Sequence, residues 1–424
     1  MSRYGDEVAS LATRLTDPSD LDVLVDRAAG ARVVMLGEAS HGTHEYYAWR
    51  AALTRRLIEE QGFSFVAVEG DWPDCERVDR SVRAAPGAPD DPRAALLAYD
   101  RWPTWMWANE EVVDFCQWLR VYNRARERPI GFHGLDVYSL WESLREILVY
   151  LRETDPDQVG AALDAYRCFE PYAEDPQSYA WATRFVGATC EREVIRLLVD
   201  LRERAAARSF AAWQNAEVIA GAEQYYRAMV LGGPASWNVR DRHMDDTLDR
   251  LLHHYGPTSK AVVWAHNTHI GDARATDQSL HGEVTIGELA RERYGADRVL
   301  LVGFGGHRGT VIAGNAWGAP MEVLGVPPAR PDSLEDVLHA TAPERALFVF
   351  PPRAEQPPLL TDELTHRAIG VVYRPERERW GNYVPTVLGE RYDAFLWFDD
   401  TSAVRPLHTV GIDTREPETF PSGV

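Results

Sequence analysis

Short apolar runs recur along most of the chain, and the segments between them have the apolar spacing of amphipathic helices. Apolar runs that are rich in β-branched residues and bounded by helices are typical of strands buried on both faces of a parallel sheet. We therefore expect an α/β fold in which a mostly parallel sheet is flanked by helices. The predicted strands span residues 32–38, 63–71, 129–136, 260–269, 298–306, 346–352, 368–375 and 393–400.

The segment 139–256 differs from the rest because helical periodicity continues through it without a strand-like run. Its first apolar stripe consists of Leu140, Leu144, Ile147, Leu148 and Leu151. Such stripes indicate amphipathic helices, and we expect a large all-helical insertion that covers the active site as a lid. The predicted organisation is an α/β catalytic core of residues 1–138 and 257–405, the insertion 139–256 and an irregular C-terminal tail 406–424.

Acidic side chains outnumber basic ones, 65 to 45, which gives the chain a formal charge of −20. A surface of this charge repels phosphate backbones and anionic membranes, so neither nucleic acid nor a membrane is an expected partner. No apolar run approaches the ~20 residues of a membrane helix, and the N-terminus lacks the regions of a signal peptide. These features predict a cytoplasmic protein, and nothing in the sequence predicts its oligomeric state.

The cysteines are few and widely spaced. Their positions, Cys75, Cys116, Cys168 and Cys190, match neither a zinc site nor a small disulfide scaffold. We expect all of them to be buried free thiols.

Ionisable side chains follow the first five predicted strands. In parallel α/β sheets, ligands bind outside the carboxyl ends of the strands, so these groups are expected to converge on one rim. In chain order they are Glu38 and His41, Glu69 and Asp71, His133 and Asp136, His266 and His269, and finally His307. The sequence therefore predicts a single active site at this edge of the sheet.

The densest group of such residues is LGEASHGTHEYYAWR at 36–50. A neutral imidazole at His41 can take a proton from water, and a carboxylate at Glu38 or Glu69 can fix its tautomer. Arg50 can either hold that carboxylate or stabilise negative charge that develops on a substrate oxygen.

An ordered series of short motifs resembles the erythromycin esterase family over residues 30–320. The motifs are GEASHG at 37–42, VAVEGDW at 66–72, GFHGLDVYSLWESL at 131–144, WNVRDRHM at 237–244 and VVWAHNTHIGD at 262–272. The resemblance implies an α/β core with helical additions and the hydrolysis of macrolide lactones without a metal or other cofactor. It also implies a role in antibiotic resistance or secondary metabolism.

The same resemblance implies the catalytic residues. The family's essential histidine matches His41, its acidic partners match Glu38 and Glu69, its arginine matches Arg50, and its second histidine matches His266. In this interpretation the enzyme is a carboxylic ester or lactone hydrolase that uses water activated by His41.

Aromatic and polar residues near the strand ends are candidates for substrate binding. Four of the chain's 14 tryptophans are candidates to line an apolar pocket, which suits a bulky and largely apolar small molecule: Trp72, Trp102, Trp105 and Trp107. The predicted substrate-binding residues are Asp71, Trp72, Trp105, Trp107, His133, Asp136, Arg240 and His269.

Other chemistries remain open at this point. The same base can serve a lyase, cyclase or isomerase in natural-product biosynthesis, because it can also take a proton from carbon. His41-x-x-His44 and His266-x-x-His269 could support a metal-dependent hydrolase, although H-E-x-x-H is absent.

A serine nucleophile is disfavoured because the chain has no G-x-S-x-G motif. GFGGHRG at 303–309 departs from the dinucleotide pattern, so we expect its glycines to form a tight turn.

Overall fold

A computed structural model of the protein describes residues 3–172, 174–187, 189–204 and 208–408. The strands within these residues are β1 (Ala12–Arg14), β2 (Val33–Leu36), β3 (Phe65–Val68), β4 (Gly131–Gly134), β5 (Ala261–Trp264), β6 (Val299–Gly314), β7 (Met321–Val326), β8 (Arg345–Val349), β9 (Glu363–Arg367), β10 (Tyr383–Val387) and β11 (Ala394–Thr401).

Helices separate most of the strands. They are α1 (Gly5–Leu11), α2 (Asp22–Arg27), α3 (His44–Gln61), α4 (Trp72–Val82), α5 (Pro92–Leu96), α6 (Glu110–Asn123), α7 (Leu140–Thr154), α8 (Val159–Phe169), α9 (Pro176–Val186), α10 (Glu191–Arg204), α11 (Phe210–Met229), α12 (Ala235–Tyr255), α13 (Asn267–Ile270), α14 (Ile286–Tyr294), α15 (Leu334–His339), α16 (Pro358–Thr361), α17 (Glu378–Gly381) and α18 (Leu388–Arg391).

The central sheet has the strand order β1-β8-β11-β6-β2-β5-β3-β4, and β7 pairs with β6. The strands from β11 to β4 in this order run parallel, whereas β1, β7 and β8 pair antiparallel at the margins. The structure therefore confirms the predicted α/β fold with a mostly parallel sheet flanked by helices.

Both faces of the parallel strands are buried, which is why their sequences are continuously apolar rather than alternating. On β2, Val34 and Leu36 belong to one apolar cluster, and Val33 and Met35 belong to another. Each face of the sheet thus has its own core, and a polar residue inside these strands would have no solvent to face.

The predicted strand at 368–375 is wrong, because this segment makes only isolated bridges at Ile369 and Val372. Four strands were not predicted from the sequence: β1, β7, β9 and β10. These strands lie at sheet margins or in a separate two-stranded sheet, and β7 is largely exposed, so none has the signature of a buried parallel strand.

The expected tight turn at 303–309 is also wrong, because these residues continue as β6. A glycine is required at position 303 because a side chain there would clash with an aromatic ring. A Cβ atom at this position would lie 2.7 Å from the ring of Tyr392. The glycines therefore allow aromatic side chains to pack closely against the strand.

Between β4 and β5, the described residues form helices α7 to α12 and no strand. These helices have an apolar cluster of their own, which includes Leu144, Ile147, Tyr179, Ile219 and Tyr225. The division of the chain into a core and a lid stays a prediction. Most of the predicted tail 406–424 lies outside the described residues.

Cys168 and Cys190 form a disulfide, so the expectation of four free thiols is wrong for this pair. The packing of the helical segment brings the two Cα atoms to 5.8 Å, a proximity that their spacing of 22 residues does not reveal. Cys75 and Cys116 are buried free thiols, as expected.

Among the described helices, none is both long enough and apolar enough to cross a membrane.

We predict that Gly134→Ala destabilises the protein. A Cβ atom at Gly134 would lie 2.4 Å from the Gly70 carbonyl oxygen and 2.5 Å from that of Asp71, so the backbone would have to move. We expect a loss of about 1–3 kcal/mol in the free energy of unfolding, measured by urea denaturation. The control is Gly160→Ala on α8, where a Cβ atom meets nothing within 4 Å and no loss is expected. Equal stability of both variants would contradict the close approach at Gly134.

Candidate functional site

The carboxyl ends of three adjacent strands bring the central site residues together. β2, β5 and β3 are neighbours in the sheet, and Leu36, Trp264 and Val68 lie in register at their ends. Glu38 and His41 follow β2, His266 follows β5, and Glu69 follows β3. All four residues are buried.

His41, Glu38 and Arg50 form a connected set. His41 donates from Nδ1 to Glu38 Oε1 over 2.9 Å, and Arg50 donates to Glu38 Oε2 over 2.9 Å. The guanidinium of Arg50 lies 4.3 Å from the Tyr47 ring centroid and 5.2 Å from that of Trp264. Because the carboxylate accepts a hydrogen bond from Nδ1–H, a neutral imidazole at His41 has its lone pair on Nε2.

His266 has the opposite tautomer. The backbone N–H of Thr268 donates to His266 Nδ1 over 3.3 Å, so Nδ1 is an acceptor and the ring proton is on Nε2. His266 Nε2 is buried and has no hydrogen-bond partner among the described residues. Burial, together with the nearby His41, holds the pKa of His266 well below its usual value, so the ring stays neutral.

The rings of His41 and His266 are direct neighbours, with centroids 4.8 Å apart and planes tilted by 41°. One ring therefore offers a lone pair on Nε2, and the other offers an N–H on Nε2. A base and a hydrogen-bond donor at this separation are suited to a reaction in which a proton leaves one atom while negative charge develops on another.

Glu69 is fixed from three sides. Its Oε2 accepts from the backbone N–H of His266 over 2.8 Å, and its Oε1 accepts from Arg240 over 2.7 Å. Trp107 donates from its indole N–H to the carbonyl oxygen of Glu69 over 3.0 Å. Burial alone would raise the pKa of Glu69, but His269, Arg240 and His41 outweigh it and lower that pKa.

Arg240 reaches this cluster from α12. It also donates to both carboxylate oxygens of Asp136, and its NH1 lies 3.1 Å from His269 Nε2. His269 in turn donates from Nδ1 to Asp241 over 2.8 Å and stacks on Trp237 with ring centroids 4.4 Å apart. The structure thus brings Asp136, Arg240 and His269 into contact with the Glu69 side of the site.

Asp71 belongs to a different set of charges. It forms an ion pair with Arg101, which also pairs with Asp74 and with Glu142. Burial raises the pKa of Asp71 to about 7 despite the opposing charge of Arg101.

Trp72, Trp105 and His133 are packed in the interior. Trp72 stacks on His133 at 5.6 Å, and a hydrogen bond of 2.8 Å joins His133 Nε2 to the hydroxyl of Tyr255. Trp105 packs edge-on against Trp102. These contacts account for the burial of the three side chains, and their substrate-binding role stays a prediction.

The two histidines of His41-x-x-His44 have different partners. His44 bonds through Nδ1 to Glu111, whereas His41 bonds to Glu38. In the described part of the chain, no group of three or more His, Cys, Asp or Glu residues is arranged to hold a metal ion. His307 lies on β6 and stacks on His339 with ring centroids 3.8 Å apart, so the expectation that it joins the other strand-end groups is wrong.

Sequence reasoning missed Asn267, which fixes the turn that carries His266. Its side-chain amide donates to the Phe304 carbonyl oxygen and accepts from the Phe304 N–H, so the turn is attached to β6. Gly37 is opposite, and a Cβ atom there would lie 2.0 Å from Asn267 Oδ1. The glycine that precedes Glu38 was the available signal, but it does not name its partner.

The fold is a mostly parallel α/β sheet flanked by helices, and its strand ends bring histidine, carboxylate and arginine side chains together. The family model described as erythromycin esterase matches residues 58–401, and the chain therefore belongs to the erythromycin esterase family. It is 24% identical to erythromycin esterase type II of Escherichia coli over 304 residues, which cover 65% of this chain and 70% of that protein.

Two solved structures share the fold. A protein from Bacillus cereus is 18% identical with a TM-score of 0.79, and the match covers 96% of this chain and 99% of that one. A mutant erythromycin esterase in its open conformation is 20% identical with a TM-score of 0.67, and the match covers 94% and 99%. Family membership supports an esterase-like hydrolase that acts on a small molecule.

We predict that His133 makes the protein less stable in mild acid. Burial lowers the pKa of His133 to about 4 from 6.5, so between these values the unfolded chain binds a proton that the folded chain does not. Stability is therefore lost as pH falls below 6.5, by about 2 kcal/mol at pH 5. His133→Gln should reduce this loss in urea denaturation, whereas the control variant of an exposed histidine, His253→Gln, should not. An unchanged pH dependence in His133→Gln would contradict the burial of a neutral ring.

Proposed function

We propose that the protein hydrolyses an ester or lactone by direct attack of water, with His41 as the general base. The observation that supports this most is the pairing of His41 and His266 in opposite tautomers across 4.8 Å. A water molecule and a carbonyl group bound against the Nε2 edges of the two neighbouring rings would meet a base on His41 and a hydrogen-bond donor on His266.

In the first step, His41 Nε2 takes a proton from water while the water oxygen bonds to the carbonyl carbon. The electron pair of the C=O π bond moves to oxygen, and His266 Nε2–H donates to the oxyanion. In the second step, the tetrahedral intermediate re-forms the C=O bond and expels the alkoxide, which takes the proton from His41. The products are a carboxylic acid and an alcohol, or one hydroxy acid from a lactone.

The carboxylates stabilise the imidazolium that exists between these steps. Glu38 accepts from His41 Nδ1–H, so it holds the ring in the reactive tautomer and balances the new positive charge. Arg50 fixes Glu38 through its second oxygen and is therefore assigned a supporting role rather than contact with the oxyanion. Glu69 adds a second buried negative charge near His41.

The names of the relatives make a macrolide lactone the first substrate to test, with a role in antibiotic resistance or secondary metabolism. We propose that the helices between β4 and β5 cover the site, because Arg240 on α12 contacts Glu69. A bulky, largely apolar substrate would lie between this cover and the strand ends.

We predict that the product formed in ¹⁸O-labelled water contains one labelled carboxylate oxygen. The test incubates the protein with erythromycin and with a panel of simpler esters and lactones, and mass spectrometry measures the label. Direct attack of water requires the label, whereas a lyase, cyclase or isomerase would form products without it. Turnover that stops after chelation and returns with zinc would replace this proposal with the metal-dependent alternative.

We predict that His41→Asn lowers kcat by a factor of about 10² to 10⁴, because the general base is lost. The matched control is His44→Asn on the same segment, since His44 bonds to Glu111 instead of Glu38. His44→Asn should keep kcat within a small factor of the original. Near-normal turnover in His41→Asn, with the fold intact by circular dichroism, would remove His41 from the mechanism.

A further inference from the structure

Arg240 is the point at which the helical segment contacts the strand-end carboxylates. It lies on α12, is buried, and donates from one nitrogen, NH2, to Glu69 Oε1 at 2.7 Å and to Asp136 Oδ2 at 2.6 Å. Its remaining donors face Asp136 Oδ1 and His269 Nε2. The guanidinium is therefore occupied by protein groups, which argues against the substrate contact that the sequence suggests.

From these contacts we propose that Arg240 is a positioning residue for the hydrolysis: it holds Glu69 in place as an anion, and the helical segment thereby supplies a part of the catalytic machinery. This inference rests on the proposed function, in which anionic Glu69 stabilises the imidazolium of His41.

Arg240 affects the geometry of the site through Glu69. Glu69 Oε2 accepts from the backbone N–H of His266, so the position of Glu69 also sets the position of the turn that carries His266. Arg240 holds the other oxygen, Oε1. Displacement of Glu69 would therefore move the donor that faces the oxyanion.

Arg240 also affects the charge of Glu69. A buried carboxylate without an opposite charge favours its protonated form. Glu69 faces Arg240 from α12, His269 and His266 from the turn after β5, and His41 from the turn after β2. Asp136 and Asp241 are the next charges, since they bind Arg240 and His269. Burial raises the pKa of Glu69, whereas Arg240 and the histidines lower it, so removal of Arg240 would also leave Asp136 to repel the Glu69 anion.

Arg242 provides a comparison for Arg240 on the same helix. Arg242 is exposed on the same helix, two residues away. Arg240 and Arg242 thus differ in burial and partners but have the same charge and lie on the same helix. Arg242→Gln is therefore a matched control for Arg240→Gln.

We expect Arg240→Gln to lower kcat by a factor of roughly 10 to 100 with little change in KM. A substrate contact would instead raise KM. The lost activity should return in part as pH rises, because Glu69 then loses its proton again. Arg242→Gln should leave kcat, KM and the pH profile unchanged, and Arg240→Lys should retain more activity than Arg240→Gln because it keeps the charge.

A double-mutant cycle with Glu69→Gln gives the decisive result. If Arg240 acts through Glu69, the second substitution changes kcat little once Glu69→Gln is present. An equal loss of kcat in both backgrounds, or a loss expressed only in KM, would overturn the proposal.

The four proteins of this cycle are the original protein, Arg240→Gln, Glu69→Gln and the double variant. Their stabilities provide a test that needs no substrate. The unfolding equilibrium constant in urea should rise in each single variant, and the double variant should exceed the larger single effect only slightly. Additive effects on unfolding would overturn the pairing even if no ester is hydrolysed. If the coupling is found but no ester or lactone reacts with the original protein, the proposed function fails and the pairing does not.

Discussion

The parallel pairing of β2, β5 and β3 is the constraint on which the rest of the structure depends. Their last residues lie in register, so the three turns that follow must occupy one small volume at the sheet edge. The turn after β2 contributes Glu38 and His41, the turn after β3 contributes Glu69, and the turn after β5 contributes His266, so groups that are distant in sequence meet. A slip of register at any of these strands would separate the base from its partners.

Concentrating so many charges in a buried volume is unfavourable unless each one is paired. The site meets this condition with two separate pairings, one between Arg50 and Glu38 and the other between Arg240 and Glu69. The first pairing adjoins the His41 ring, and the second adjoins the turn of His266. Next to these pairings lie the rings of His41 and His266, whose Nδ1 atoms are already hydrogen-bonded, so Nε2 is the nitrogen that each ring offers for chemistry.

Much of this arrangement could be predicted from the sequence, because continuous apolar runs identify buried parallel strands and strand ends identify the ligand edge. Glu38, His41, Glu69 and His266 were all found in this way. The sequence could not predict which atoms pair. Arg240 stood among candidates for substrate contact, and Asn267 was overlooked, because contacts between residues so far apart in the chain leave no local pattern. The Cys168–Cys190 disulfide was missed for the same reason, whereas the marginal strands were missed because they lack the apolar run of a buried parallel strand.

The close contact between Gly37 and Asn267 has a consequence for how such chains can diverge. No side chain fits at position 37 while the amide of residue 267 occupies that space. The two positions are therefore free to change only together, and a variant that changes one of them first passes through a damaged intermediate. A designer who grafts the His266 turn onto another scaffold must therefore transfer the glycine backbone opposite it as well.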